Sequence, residues 1–221
     1  AEIKKKSAEV QATEPIRSGI IAGEMGSGER LTEISLSNKL EVSRATVRTA
    51  LHQLSQEGLV VQVPYTGWAV AQLSAEDCWE LFSLRSALEA LGAKLAATSI
   101  TPEGRARLDE RLAILEAACQ RNEAKEIAEA DFDLHKCIID LSNNGRLIEQ
   151  YRLVEQQVRR YIASSDALIK ESEVIVRQHR PIVEAITSGD PDRAARLAEA
   201  HNLDEGKVLA DHLRATSSRG S

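Results

Sequence analysis

Two short helical patterns, TEISLSNKL and RATVRTALHQLSQEG, are separated by only the three residues EVS. A connection that short forces the second helix to cross the first, which is the geometry of a helix-turn-helix. Ser43 is a natural N-cap for the second helix, because its hydroxyl can take an amide proton that no helical carbonyl reaches. Val47, Ala50, Leu51 and Leu54 then recur at i, i+3, i+4 and i+7, the stripe of a helix with one buried face. Arg44, Ala45, Thr46, Arg48, Thr49 and Gln53 are left facing outward. Arg44 and Arg48 share a face near the helix N-terminus, where the dipole and free N–H groups favour a phosphate. Gly58 is placed to close the helix.

Beyond it, LVVQVPYTGWAVAQL carries two β-branched runs around the turn-rich PYTG, the pattern of a hairpin. Upstream, residues 13 to 22 read as a helix with Thr13 as cap, Pro15 in the first turn and Ile16, Ile20 and Ile21 as its apolar stripe. Helix, tight turn, helix and hairpin compose a winged helix-turn-helix. The same residues would also suit a small structural lobe whose arginines are solvated surface, and the hairpin in that place favours the DNA reader.

The pattern changes near AVAQLSAEDCW, which predicts a DNA-binding domain over 1–72 and a second domain over 73–221. The net charge of −6 argues against a chain devoted wholly to nucleic acid. Its distribution is more telling: residues 1–72 carry eight Lys plus Arg against eight Asp plus Glu, whereas residues 73–221 carry 20 against 26. Six helical patterns fill the second part, at roughly 75–98, 102–120, 123–142, 146–168, 171–187 and 191–214. Ser74, TPEG, SNNG and SGDPD punctuate them with caps and short turns, so an antiparallel all-α bundle follows. The expected fold is mostly α, with one small β-hairpin wing. Cys78, Cys119 and Cys137 each lie in an apolar helical pattern and read as reduced core thiols. No stretch resembles a signal peptide and no apolar run approaches the roughly 18 to 20 residues that cross a bilayer, so a cytoplasmic protein with no membrane partner is expected. AEIKKKS at the start reads as a loose basic tail.

Within the third bundle helix, Asp131 and His135 stand at i and i+4 beside the stripe of Ile127, Leu134, Ile138 and Leu141. Alone, the pair could be a helix-surface contact. His179 and His201 sit at similar apolar borders in two other helices. One Asp and three His converging from separate helices would suit a borderline divalent metal, provided that the helices converge. Pro181, two residues past His179, either aims that side chain or displaces it by freeing a carbonyl and bending the helix. His52 and His212 read as surface residues. Arg85 could bind a carboxylate through its fork or pair with Glu89 one turn on.

The stretch from IRSGIIAGE to WAVAQLS, with GERLTE, VSRATVR and EGLV in it, resembles the winged-helix domain of GntR-type bacterial transcription regulators. LFSLRSALEALGAKLAA, ADFDLHKCIIDLSNNGRLIE and RQHRPIVEAITSGDPDRAARLAEAH resemble the FCD ligand-binding domain of the FadR subgroup, over almost all of residues 75–215. The resemblance implies a recognition helix in the major groove and a wing tip at the adjacent minor groove or backbone. Arg44 and Arg48 would then contact bases and phosphates, supported by Ser43, Thr46, Thr66 and Gly67. In metal-binding members an Asp, a His four residues later and two further His hold one divalent ion, and they map onto Asp131, His135, His179 and His201. Zinc is the favoured ion, with nickel and manganese as alternatives. A small carboxylate effector would take the remaining positions, with Arg85 facing it and Asn143 and Arg159 as further candidates.

The implied protein is a nucleoid-associated homodimer that reads a pseudo-palindromic double-stranded operator, with repression the commoner mode among relatives. Two departures from the family pattern stand out. Glu41 occupies a turn position that is often glycine, and the wing VPYTG lacks the usual arginine, which predicts a flatter salt dependence unless Lys4, Lys5 and Lys6 restore the charge. Two other readings remain open at this stage: a metal-dependent hydrolase, in which the ion activates water, and a sensor of the metal itself.

Overall fold

The structure is a computed structural model and describes residues 8–217; Lys4, Lys5 and Lys6 lie outside them. The described residues form nine helices and one three-stranded antiparallel sheet. They divide into two compact units. The first runs to Gln72 and takes in Val154–Arg160, and the second comprises Leu73–Leu153 and the chain from Tyr161 onward.

In the first unit, α1 (Ala8–Ile21) is followed by β1 (Arg30–Leu31), α2 (Glu33–Leu40), α3 (Arg44–Gln56), β2 (Val60–Val63) and β3 (Gly67–Val70). The winged helix-turn-helix is therefore present, with three details the sequence did not show. The first is that α1 begins well before Thr13. Thr13 is buried in the body of the helix instead of capping it, and Pro15 lies inside it. Ala12, Ile16 and Ile20 form one buried stripe, and that packing extends the helix past the proline, at which an intrahelical bond is lost. The second is a third strand: β1 pairs with β3 through Arg30 opposite Ala69 and Leu31 opposite Trp68, giving the order β1-β3-β2. A two-residue strand has no periodicity to read. The third is the turn: Glu41 adopts φ 55°, the left-handed conformation that glycine enters most easily, which accounts for the preference for glycine there.

The recognition helix follows its sequence signals closely. Ser43 Oγ accepts the Thr46 amide at 3.1 Å, and Val47, Ala50, Leu51 and Leu54 are its buried residues. They close on Ile16, Ile20, Leu36 and Trp68 in a single core.

The second unit is built from α4 (Ala75–Thr98), α5 (Pro102–Arg121), α6 (Ala124–Leu141), α7 (Gly145–Asp166), α8 (Glu173–Thr187) and α9 (Pro191–Ser217), although the 154–160 stretch of α7 belongs to the first unit. Ser74, Thr101 and Asn144 cap α4, α5 and α7 by accepting backbone amides. The helices pack around a core that includes Leu108, Leu115, Leu134, Ile138, Val183 and Ile186. Gly206 lets α9 lie tight against α4, since a Cβ there would stand 2.5 Å from Phe82 Cβ. All three cysteines are buried and free.

Candidate metal centre and nucleic-acid interface

The apolar stripe of α6 faces the bundle core, and Asp131 and His135 go inward with it: each is 1 % exposed. α8 brings His179 and α9 brings His201 to the same place. The ring centroids lie 4.9 Å apart for His135 and His179, 5.3 Å for His135 and His201, and 4.4 Å for His179 and His201. α8 runs as one helix through Pro181, so His179 is not displaced.

The hydrogen bonds behind the rings decide which nitrogens face inward. His135 Nδ1 lies 2.7 Å from Glu89 Oε2, and His179 Nδ1 lies 2.7 Å from the Ile175 carbonyl. Neither acceptor has a proton to give, so both rings hold a proton on Nδ1 and turn Nε2 inward. Those two Nε2 atoms are 2.9 Å apart. Asp131 Oδ1 is 3.1 Å from the first and 3.3 Å from the second. Lone pairs and a carboxylate this close repel unless a proton or a cation lies among them.

The surroundings sharpen that point. Asp131 Oδ1 and Oδ2, Asp166 Oδ1 and Oδ2, Glu205 Oε1 and Asn202 Oδ1 are buried acceptors without a hydrogen bond, against one such donor, Arg85 Nη2, and the His201 Nε2 also lacks a partner. An excess of acceptors is what a cation satisfies, and His135, His179 and His201 form one group able to hold an ion while Asp131, Asp166 and Glu205 form another. Glu89, by contrast, is fully occupied. It accepts from Arg85 Nε at 2.7 Å, Tyr151 Oη at 2.9 Å and Asn202 Nδ2 at 2.9 Å, as well as from His135. Such a carboxylate orients a ligating ring and raises its basicity.

Charge states follow these contacts. Burial opposes the His135 imidazolium, but the Glu89 carboxylate outweighs it and lifts the group to about 9. Burial raises Asp131 and the neighbouring imidazoles of His179 and His135 pull it well below the usual carboxylate range. Asp166 is pushed well above that range by burial and by the negative charges of Asp131 and Glu205; a proton on it would bond Asp131. Burial, aided by Asp131, also raises Glu205. His201 is driven well down by burial and by the other two histidines.

On the first unit, Arg44 and Arg48 project from α3 with side chains 61 % and 55 % exposed. Ser43 and Thr46 hold the start of that helix, their hydroxyl oxygens 2.8 Å apart. At the wing, Thr66 and Gly67 are exposed, and Gly67 has φ 106° with open space where a side chain would go. Arg30 of β1 donates to the Thr66 carbonyl at 3.0 Å.

Residues 9–70 match the family described as bacterial regulatory proteins, gntR family, and residues 80–204 match the FCD domain. The chain belongs to the GntR family and carries an FCD domain. Among its relatives are the Nta operon transcriptional regulator of Aminobacter aminovorans, 27% identical over 182 residues that span 79% of this chain and 81% of the relative. The HTH-type transcriptional repressor RspR of Escherichia coli K12 is 25% identical over 186 residues, 84% of this chain and 82% of RspR. Two solved structures share the fold: E. coli McbR/YncC at TM-score 0.78, 20% identity and 93% and 98% coverage of the two chains, and a GntR transcriptional regulator from Rhodococcus sp. RHA1 at 0.77, 24%, and 92% and 98%. This GntR protein is a transcription regulator and not an enzyme, which removes the hydrolase reading. No helix among its described residues is long and apolar enough to cross a membrane.

Not every residue singled out in the GntR chain's sequence reaches the cluster. Asp131, His135, His179 and His201 come together, and Arg85 borders them. Arg85 is occupied on two sides, by Glu89 one turn on and, at 3.5 Å, by Glu205. Asn143 is exposed at φ 50° in the turn between α6 and α7, and is placed by the needs of that turn. Arg159 is half-buried in the 154–160 stretch with Nε 3.8 Å from Glu155. The sequence reading missed Asp166, Glu205, Asn202 and Tyr151. Glu205 had a signal, standing four residues after His201, whereas Asp166 had none. At the wing it did not single out Arg30 or Tyr65, the latter fully exposed at the tip with φ 63°.

Proposed function

We propose that this regulator is a homodimeric repressor whose FCD bundle holds one divalent ion through Asp131, His135, His179 and His201, and whose operator affinity changes when a small organic acid joins that ion. The observation that carries it is the convergence of the His135 and His179 Nε2 atoms, 2.9 Å apart, on a buried Asp131 oxygen 3.1 and 3.3 Å away. Three imidazoles and one carboxylate suit zinc, or nickel or manganese, better than calcium or magnesium. When bound, the ion would offer open positions to a carboxylate. Arg85 Nη2, buried and without an acceptor, is a donor at hand for the same ligand. Asn143 and Arg159 have no part in this reading.

Operator contact falls to Arg44 and Arg48, with Ser43, Thr46, Thr66 and Gly67, in the domain that ends at residue 72. Two such readers require a two-fold dimer and a pseudo-palindromic site. The relatives named as repressors support the sign of the response. Elemental analysis of dialysed protein tests the centre: about one ion per chain is expected, and the absence of stoichiometric metal counts against it. Salts of small carboxylic acids, added to the metal-loaded protein on operator DNA, should weaken the complex. If the metal alone does so and no acid adds to it, the ion is the signal.

A further inference from the structure

We propose that Glu33 is a positioning residue of the DNA-reading face, setting sequence preference by clamping one edge of the Arg48 guanidinium. Glu33 opens α2, and its side chain is only 17 % exposed. Its Oε1 takes the Arg48 Nε proton and its Oε2 an Nη2 proton, both at 2.7 Å, so the whole Nε/Nη2 edge is held in a fork. The same carboxylate stands 3.7 Å from Arg44 Nη2. Two cations of the reading helix therefore share one anion, contributed by the other helix of the motif.

Two consequences follow. A guanidinium fixed on one edge presents its outer N–H groups in one direction and loses little freedom on docking, which suits a pair of acceptors such as guanine O6 and N7. The carboxylate also repels phosphate and offsets part of the attraction of Arg44 and Arg48, so any register lacking that acceptor pair is penalised. Glu33 thus trades general affinity for selectivity. An isolated surface ion pair would do neither.

The inference rests on the assignment of Arg48 to DNA, and the test keeps the two apart. Full-length wild type, Glu33→Gln, Arg48→Lys, Arg48→Ala and Glu33→Gln/Arg48→Ala are each equilibrated with a duplex library of randomised core. The best-enriched duplex is then titrated against one fixed random duplex over a salt series. Glu33→Gln should lower the ratio of the two affinities about tenfold or more. It should also bind the random duplex more tightly, with a salt slope steeper by about one. Arg48→Lys keeps the charge but has no fork and should lose the same preference. On the Arg48→Ala background, Glu33→Gln should leave the ratio where Arg48→Ala put it. An unchanged ratio in Glu33→Gln, a wild-type preference in Arg48→Lys, or additive losses in the double variant overturns the proposal. A wild-type preference in Arg48→Ala overturns the assignment of Arg48 itself.

Discussion

The candidate reading face and the candidate metal centre handle charge in opposite ways. Arg44 and Arg48 stand in solvent and share a single carboxylate. Asp131, His135 and His179 are each 1 % exposed and crowd acceptors together with almost no donors. Water makes the first arrangement cheap, because exposed charges are screened and keep much of their hydration. Burial makes the second costly, because an ionised group without a partner loses its hydration. An exposed cluster can therefore wait for a ligand, whereas a buried one has to be compensated as soon as it forms. That difference is why the buried acceptor cluster stands out in the structure of one chain and the DNA face needs sequence and family to be recognised.

The largest expected effect removes the compensation. His135→Ala takes away one Nε2 and should lower zinc affinity by about a hundredfold or more, measured by competition with a chelator, while operator binding without effector persists. If zinc binding survived, the cluster would be an ordinary buried polar network and the contrast between the two regions would fail. Glu89→Gln tests the layer behind it. The charge that orients His135, and that also pairs with Arg85, is lost, and zinc affinity should drop about 10- to 100-fold with the ion still bound in stoichiometric amount at high concentration.

On the exposed side, Arg44→Ala and Arg48→Ala should each abolish specific operator binding in a gel-shift titration without altering metal content. A loss of metal with either variant would blur the division of labour. The acidity of the centre supplies a finer test. His135 is held near 9, and its protonated ring cannot ligate. Zinc affinity should then fall about tenfold for each pH unit below 9 on account of that one proton, and level off above 9, where the ring is already neutral. A slope of the opposite sign would count against coordination through Nε2. The smallest effect belongs to the wing: Arg30→Ala should reduce the salt slope of DNA binding by about one and leave sequence preference intact.

Much of the architecture was legible because punctuation and periodicity are local. Ser43, Ser74 and Thr101 are short polar side chains placed just before apolar stripes, and each caps a helix as expected. The same local logic failed for Thr13, where the stripe of Ala12, Ile16 and Ile20 carries α1 through a proline, and for β1, whose existence depends on a partner strand far along the chain. In the candidate site, the four residues suggested by spacing and resemblance do meet. Asp166 was invisible because it ends a helix that reads as amphipathic surface, and only the bundle buries it.

The sequence alone determined the order of elements, the buried stripes and the residue types available for DNA and metal, because these depend on neighbours within a few positions. The tertiary structure decided which acceptors lack donors, which ring nitrogens face inward and which arginine edge is already held. Those properties belong to atoms brought together from different helices, and no periodicity along the chain records them.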